Sequence, residues 1–242
     1  AEVSIYDGAT LLGTATADLN GDWSFTTAAL TDGDHSFTAR AEDAAGNESA
    51  PSTAFDLAID TEAPGITIAT PVSGDGWINA AEADDVSISG TAQGGQRVFV
   101  TFRDGSGAEV EGIAFVDGAG NWVLQHADIS SLDEGTITVE AYAEDMAGNQ
   151  SDATTANVTH DSVAPAAPAI TAFSDDTGTQ GDSRTNDNTV TLTGTAVANV
   201  TVEIFDGATS LGTVTADANG DWSFTTAALA DGNHSFRARA ED

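Results

Sequence analysis

Apolar residues along this chain recur at every second position in short runs. Val3 and Ile5, then Phe37, Ala39 and Ala41, then Val98, Val100 and Phe102, then Ile137, Val139 and Ala141, and finally Val202 and Ile204 alternate with Thr, Ser, Glu and Arg. A period of two puts one side of an extended chain inward and the other toward water, which predicts half-buried β-strands. Over residues 61–161 the pattern predicts strands at about 65–70, 85–92, 96–103, 110–116, 121–126, 136–144 and 153–159, with turn residues between them. Helix signals are weak, and Asn79-Ala80-Ala81-Glu82-Ala83 offers a single turn. Seven short strands at this spacing predict an all-β sandwich, with Val98, Val100, Ile137 and Val139 inward and Thr101 and Thr138 outward. Trp23, Trp122 and Trp222 are expected between the sheets at equivalent positions.

The pattern also repeats. Residues 1–43 and 200–242 match at roughly three positions in four, and both contain Asn-Gly-Asp-Trp-Ser-Phe-Thr-Thr, at 20–27 and 219–226. A more distant copy lies between them, with Gly120-Asn121-Trp122 at the Trp position and Asp104-Gly105 in place of Asp7-Gly8. Asp60-Thr61-Glu62-Ala63-Pro64 and Asp161-Ser162-Val163-Ala164-Pro165 read as linkers, because Pro fixes an extended entry into the next strand. The expected domains are a partial repeat at 1–60 lacking its first two strands, a complete one at 61–161, and a partial one at 162–242 lacking its last strand. The chain reads as a window of something longer, and its open ends are expected to be completed by neighbouring molecules through strand addition.

Composition narrows the function. The 242 residues carry 6 Lys plus Arg against 39 Asp plus Glu, a formal net charge of -33, and no Cys. Nucleic acid is excluded as a partner, since phosphate contacts need cations that the sequence lacks. Membrane insertion is not expected, because no run of about twenty apolar residues exists. Without Cys, stability must come from apolar cores, with bound metal as a further source open to the chain. The charge asks for counter-ions.

A seven-residue loop supplies the candidate chemistry. Ala41-Glu42-Asp43-Ala44-Ala45-Gly46-Asn47 returns as Ala143-Glu144-Asp145-Met146-Ala147-Gly148-Asn149, and Ala240-Glu241-Asp242 begins a third copy. Two carboxylates, a Gly able to take positive φ and an Asn amide make an oxygen-only set on a tight turn. Ca2+ prefers such oxygen sites and tolerates their irregularity. The alternative is a turn whose Asp and Asn merely satisfy local backbone groups.

Together these residues resemble a known family. Gly21-Asp22-Trp23-Ser24-Phe25-Thr26-Thr27, Leu30, Asp32-Gly33, His35, Ala39, the 41–47 loop, Ser174-Asp175-Asp176-Thr177-Gly178, Thr185-Asn186-Asp187-Asn188-Thr189 and Leu192-Thr193-Gly194-Thr195-Ala196 are similar to the bacterial immunoglobulin-like tandem repeats of large RTX and biofilm-associated surface adhesins. The middle repeat departs, with Ser73-Gly74-Asp75-Gly76-Trp77 where the third has its paired Asp. The resemblance implies seven-stranded Greek-key immunoglobulin-like sandwiches in an elongated array, exported by type I secretion to the bacterial cell surface. It also implies a calcium-stabilised, non-catalytic stalk that projects an adhesive tip whose ligand is unknown, with the adjacent repeats as partners.

In an immunoglobulin-type sandwich the loop between the last two strands lies beside the entering linker. Glu144, Asp145 and Asn149 should therefore meet Asp60 and Glu62, while Glu241 and Asp242 should meet Asp161, with Asp75 facing that second junction. Glu42, Asp43 and Asn47 form the same half-site in the first repeat, and Asp175 and Asp176 are further metal candidates. His35 and His234 are expected to bond a neighbouring loop. No nucleophile elbow or phosphate-cradling loop is present. Paired carboxylates could serve glycoside hydrolysis, but their recurrence in every repeat argues against an active site. The remaining alternative is a glycan- or protein-binding immunoglobulin-like module.

Overall fold

The computed structural model describes residues 1–174 and 176–241, and its regular elements are all strands. It divides into two compact units, Ala1–Ser162 and Val163–Asp242.

The first unit opens with β1 (Glu2–Asp7), β2 (Thr10–Thr16), β3 (Gly33–Glu42) and β4 (Phe55–Ile59), one antiparallel sheet in the order β2-β1-β3-β4. It continues with β5 (Thr67–Ile68), β6 (Trp77–Ile78), β7 (Val86–Thr91), β8 (Arg97–Arg103), β9 (Glu109–Phe115), β10 (Asn121–Ala127), β11 (Gly135–Glu144) and β12 (Thr154–His160). These make two sheets, β10-β7-β5 and β6-β12-β11-β8-β9. Leaving β6 aside, the seven others follow the Greek-key order of the expected sandwich, one strand for each alternating run. The two-residue β6 is too short to show a period, and it lies parallel to β12 through Thr159↔Trp77 and His160↔Ile78. Residues 79–83 make the single expected turn: Ala83 N–H donates to the Asn79 carbonyl at 3.0 Å, and Glu82 Oε2 accepts from Asn79 N–H at 3.1 Å.

Alternation places the core. Val98, Val100 and Phe102 of β8 and Ile137, Val139, Ala141 and Ala143 of β11 are at most 1% exposed, while Thr101 and Thr138 are half-buried. Trp122 fills the space beside Gly90, where an added Cβ would sit 2.9 Å from the indole and 2.0 Å from the Thr67 carbonyl oxygen. That carbonyl accepts the indole N–H at 3.2 Å. Glycine is therefore required at 90 by close approach.

The second unit holds β13 (Ala169–Ser174), β14 (Thr191–Thr195), β15 (Thr201–Asp206), β16 (Thr209–Thr215), β17 (Asp221–Thr225) and β18 (Phe236–Glu241), in sheets β13-β14-β17 and β16-β15-β18. Leu192, Val200, Val202, Ile204, Ala216 and Trp222 form its buried core. Gly194 stands to Trp222 as Gly90 stands to Trp122, with an added Cβ only 2.3 Å from the ring.

One expectation is corrected. Trp23 is 44% exposed, whereas Trp122 and Trp222 are 1% and 4% exposed. Residues 22–26 form no strand, although the same residues at 221–225 are β17. In the second unit β17 pairs along β14, with Trp222 opposite Gly194. Among the described residues no strand lies beside 22–26, so backbone and indole both lose their partner. The difference in exposure leaves roughly 2 kcal/mol of aromatic burial unrealised. What depends only on local sequence survives. Asp18 Oδ1 accepts from Asn20 and Asp22 N–H at 2.8 and 2.9 Å, as Asp217 Oδ1 accepts from Asn219 and Asp221 at 2.8 and 3.0 Å.

Three outcomes follow from this packing. Ile137→Ala should lower the unfolding free energy by roughly 2–5 kcal/mol in chemical denaturation. His160 is 3% exposed and neither ring nitrogen has a hydrogen-bond partner, so His160→Leu should leave stability unchanged or raise it by up to about 2 kcal/mol. Acrylamide should quench Trp23 and the 56% exposed Trp77 while sparing Trp122 and Trp222, as single-Trp variants would resolve.

Candidate metal centre

Both complete loops are built around one Asp. Asp145 Oδ1 accepts N–H bonds from Ala147, Gly148 and Asn149 at 2.9, 2.8 and 2.9 Å, and its Oδ2 accepts from Asn149 Nδ2 at 2.9 Å. Asp43 repeats this, with Ala45 and Asn47 N–H at 2.8 and 3.0 Å on Oδ1 and Asn47 Nδ2 at 2.9 Å on Oδ2. Gly46 and Gly148 take φ of 85° and 93°, which closes each turn without strain. The Asn amide first, and backbone N–H donors with it, hold both carboxyls below the ordinary Asp range. Both therefore stay ionised at neutral pH.

The neighbouring Glu behaves differently in each repeat, because the cross-strand residue differs. Glu144 lies opposite Arg97 on β8. Its Oε1 accepts from Arg97 Nε at 3.0 Å and Nη2 at 2.5 Å, and its Oε2 accepts from Gln150 Nε2 at 3.1 Å. The Gln150 hydrogen bond first and the Arg97 hydrogen bond after it lower its pKa. Glu42 lies opposite Glu2 and Glu241 opposite Thr201. Glu241 also stands 3.7 Å from the Arg239 guanidinium.

One hydrogen bond joins the loop to the linker. Asn149 Nδ2 donates to the Asp60 carbonyl oxygen at 3.1 Å as well as to Asp145 Oδ2, so one amide ties the loop to the linker. Asp60 Oδ1 accepts the Glu62 N–H at 3.1 Å. Asp75 Oδ1 accepts the Trp77 N–H at 2.9 Å, and this turn lies beside the chain at Asp161, whose N–H donates to Ile78 O at 2.9 Å. Asp176 Oδ2 accepts from Gly181 N–H at 2.5 Å while its Oδ1 is buried without a partner. Asp175 and Asp242 lie outside the described residues.

Among the described residues no three His, Cys, Asp or Glu side chains converge on one point. The converging oxygens are Asp145 Oδ2 and Asp60 O, on either side of the Asn149 amide. Turning that amide over would set its Oδ1 beside both, giving carboxylate, carbonyl and amide oxygens. In donor type this fits a hard cation, and the number falls short of the six to eight oxygens calcium takes.

Further sites were only half legible. His35 Nδ1 meets Asp7 Oδ2 at 2.5 Å and its Nε2 meets the Thr31 carbonyl at 2.8 Å; His234 makes the same pair with Asp206 and Ala230. These bonds pin the segment before β3 and β18 to β1 and β15, the structural role expected of both His. In the middle repeat the work falls to Asp104, which accepts from Asp133, Ser106 and Ala108 and whose pKa is lowered to about 2, first by the Asp133 N–H. Sequence reasoning missed Asp104 as an anchor, since its partner at 133 is a backbone group that no residue type signals.

Stability should follow these anchors. His35 is raised above 6.5, chiefly by the Thr31 carbonyl and then by Asp7, so its contribution is complete below that value and fades as pH rises through its higher folded value. His234 is raised by Asp206 first and behaves alike. Asp7 and Asp206 are lowered below 3.8, first by their His, so their contribution is present above that value and is lost as pH falls through the lower one. The melting temperature should therefore gain most from the pairs between 3.8 and 6.5 and lose that gain toward alkaline pH. A His35→Gln, His234→Gln double variant should flatten this dependence. Asn149→Ala, which severs the loop from Asp60, should cost about 1 kcal/mol in denaturant unfolding.

A search of curated protein sequences finds no match. Among solved structures, a tetra-tandem repeat from the extending region of a large adhesion protein is 29% identical over 100% of this chain and 62% of its own, with a TM-score of 0.40. A Ca2+-stabilized adhesin of an Antarctic bacterium is 25% identical over 99% and 63%, with a TM-score of 0.40. A 1.5-MDa bacterial ice-binding adhesin is 21% identical over 93% and 74%, with a TM-score of 0.39. The chain thus spans less than two thirds of the first two. The family model of the bacterial Ig-like domain matches residues 1–61 and 164–242, more than half of the sequence, so the chain belongs to the bacterial Ig-like domain family.

Proposed function

We propose that this chain is a run of non-catalytic spacer modules from a bacterial cell-surface adhesin, working outside the cell, with calcium stiffening the passage from one repeat to the next. The observation that carries the reading is the Asn149 bridge, which joins a repeat's own Asp145 loop to the Asp60 carbonyl of the preceding linker. Family membership and the near-identity of residues 1–43 and 200–242 support a spacer, because spacers are copied while a dedicated binding unit is distinct in sequence. A bound ion would supply positive charge between oxygens that otherwise repel. Asp145 would offer Oδ2, its Oδ1 being held by three N–H donors, and Asp60 would offer its carbonyl. Glu144 is held by Arg97 and contributes to the outer face of the sheet.

Calorimetric titration of the full chain with CaCl2 should give binding in the range of about 0.1–1 mM, as extracellular modules do. Excess chelator should lower the melting temperature and shorten the maximum dimension in small-angle scattering. Asp145→Ala should weaken the calorimetric signal and remove part of the calcium-dependent rise in melting temperature. An identical melting curve and scattering profile with and without metal would leave acidic sandwiches whose charge serves solubility alone.

A further inference from the structure

We propose that the outer face of β11, β8 and β9 in the middle repeat is a docking surface for a polypeptide partner that presents apolar and basic side chains together. The three strands lie side by side in that order. The registers Tyr142↔Phe99 and Phe99↔Ile113 set these residues in one row across the strands, and Arg97↔Phe115 puts Phe115 in the next row. Val98, Val100 and Val139 are sealed on the inner side of the same strands, so the core is closed and the strip is a second apolar surface. Ile113 is 52% and Phe115 75% exposed, while Phe99 and Tyr142 are half-buried against each other, their rings 4.8 Å apart and 13° from parallel. Together they show roughly 300 Å2 of contiguous apolar surface, a size at which patches on soluble proteins are often functional.

The other two repeats provide the control. In the same registers they carry Arg40↔Ser4 and Ser4↔Thr14, then Arg239↔Glu203 and Glu203↔Thr213, with Thr16 and Thr215 in the place of Phe115. These sheets form with polar side chains at all four positions, so folding does not call for the strip. Of the three repeats only the one most distinct in sequence has it.

Charge selects the occupant. The next row along the strands is Glu140, Thr101 and Glu111, both Glu exposed. The two basic side chains of this face are taken, Arg97 by Glu144 and Arg103 by Glu109. Among the described residues the carboxylates of Glu111 and Glu140 have no partner, and two strand spacings set them about 10 Å apart. A second copy would bring the same carboxylates against them, in a chain of net charge -33. Its apolar contact of roughly 300 Å2 would also fall short of what a stable interface of roughly 800 Å2 per partner requires. A sugar would need the open face of an aromatic ring, but Phe99 is stacked on Tyr142 and has the Arg97 guanidinium 5.5 Å from its centroid. What fits is an apolar ridge laid on the Tyr142, Phe99 and Ile113 row, with Lys or Arg beside it to meet Glu111 and Glu140.

The test titrates the full chain, at physiological salt, with a fluorescent helical peptide of about 18 residues whose single Leu stripe is flanked by Lys. Saturable binding is expected, with hydrogen-exchange protection confined to β8, β9 and β11. Ile113→Thr, Phe115→Thr should weaken it at least tenfold, and Thr at both places is what the two outer repeats already carry. Glu111→Gln, Glu140→Gln should weaken it at least threefold and flatten its dependence on salt. A peptide with Ser for every Leu keeps the charge and should not bind, and neither should one with Glu for every Lys. No saturable binding at millimolar peptide, equal binding by the Ser or the Glu peptide, or unchanged affinity in the Thr variant would overturn the proposal. Self-association without peptide that the Thr variant abolishes would do so too, making a second copy the occupant. Oligosaccharide binding lost in that variant would make it a glycan. Chelator is present in every arm, so failure here leaves the calcium-stiffened spacer reading untouched.

Discussion

The structure depends on one pairing, that of a strand bearing Trp against a strand bearing Gly. Where it is made, twice, an indole is sealed between sheets and a core closes around it; where it is not, the same eight residues give an irregular segment and an exposed ring. The pairing is non-local, since Gly194 and Trp222 stand far apart in sequence, and neither residue's intrinsic preference enforces it. Strand propensity is largely the ability to pack on a pleated, half-buried surface, and the two copies at 20–27 and 219–226 separate that ability from sequence altogether.

Carboxylates do most of the remaining architectural work. Asp18, Asp117 and Asp217 close one turn, Asp43 and Asp145 another, and Asp7, Asp104 and Asp206 anchor the approach to the long strand after it. In each case a charge accepts N–H bonds that a loop would otherwise leave to water, and charge-assisted bonds of this kind are stronger than neutral ones. A composition that reads as pure excess of negative charge is in good part a set of turn acceptors. Of the six Arg residues, with no Lys among the basic side chains, three serve as cross-strand partners, Arg97 on Glu144, Arg103 on Glu109 and Arg239 on Glu203.

What the sequence showed and what it hid follow from the range of the forces. The period of two in Val98, Val100, Ile137 and Val139 placed every long strand of the middle repeat, because inward and outward positions are decided residue by residue. The turns were legible for the same reason, Asp, Gly and Asn carrying their own geometry. Trp23 misled because its burial depends on a strand elsewhere. Alternation does not reveal that Arg97 stands opposite Glu144, and the sequence of the loop at 145–149 does not reveal that one amide of its satisfied turn also reaches the linker at Asp60.

The near-identity of the outer repeats also bears on how such a chain reaches its native state. β3 and β18 share most of their sequence and pair with the equally similar β1 and β15 in the same register, so each could dock on the other's partner with little to distinguish right from wrong. Tandem domains of like sequence characteristically misassemble by such swaps. Here the two are separated by a repeat that keeps the tryptophan, the Asp-closed turns and the terminal loop but carries Ile88, Val100, Leu124 and Val139 where the last repeat has Leu192, Ile204, Phe224 and Phe236. A strand that strays to this neighbour meets side chains of different shape, so divergence between adjacent modules disfavours the swap that likeness between the outer ones permits.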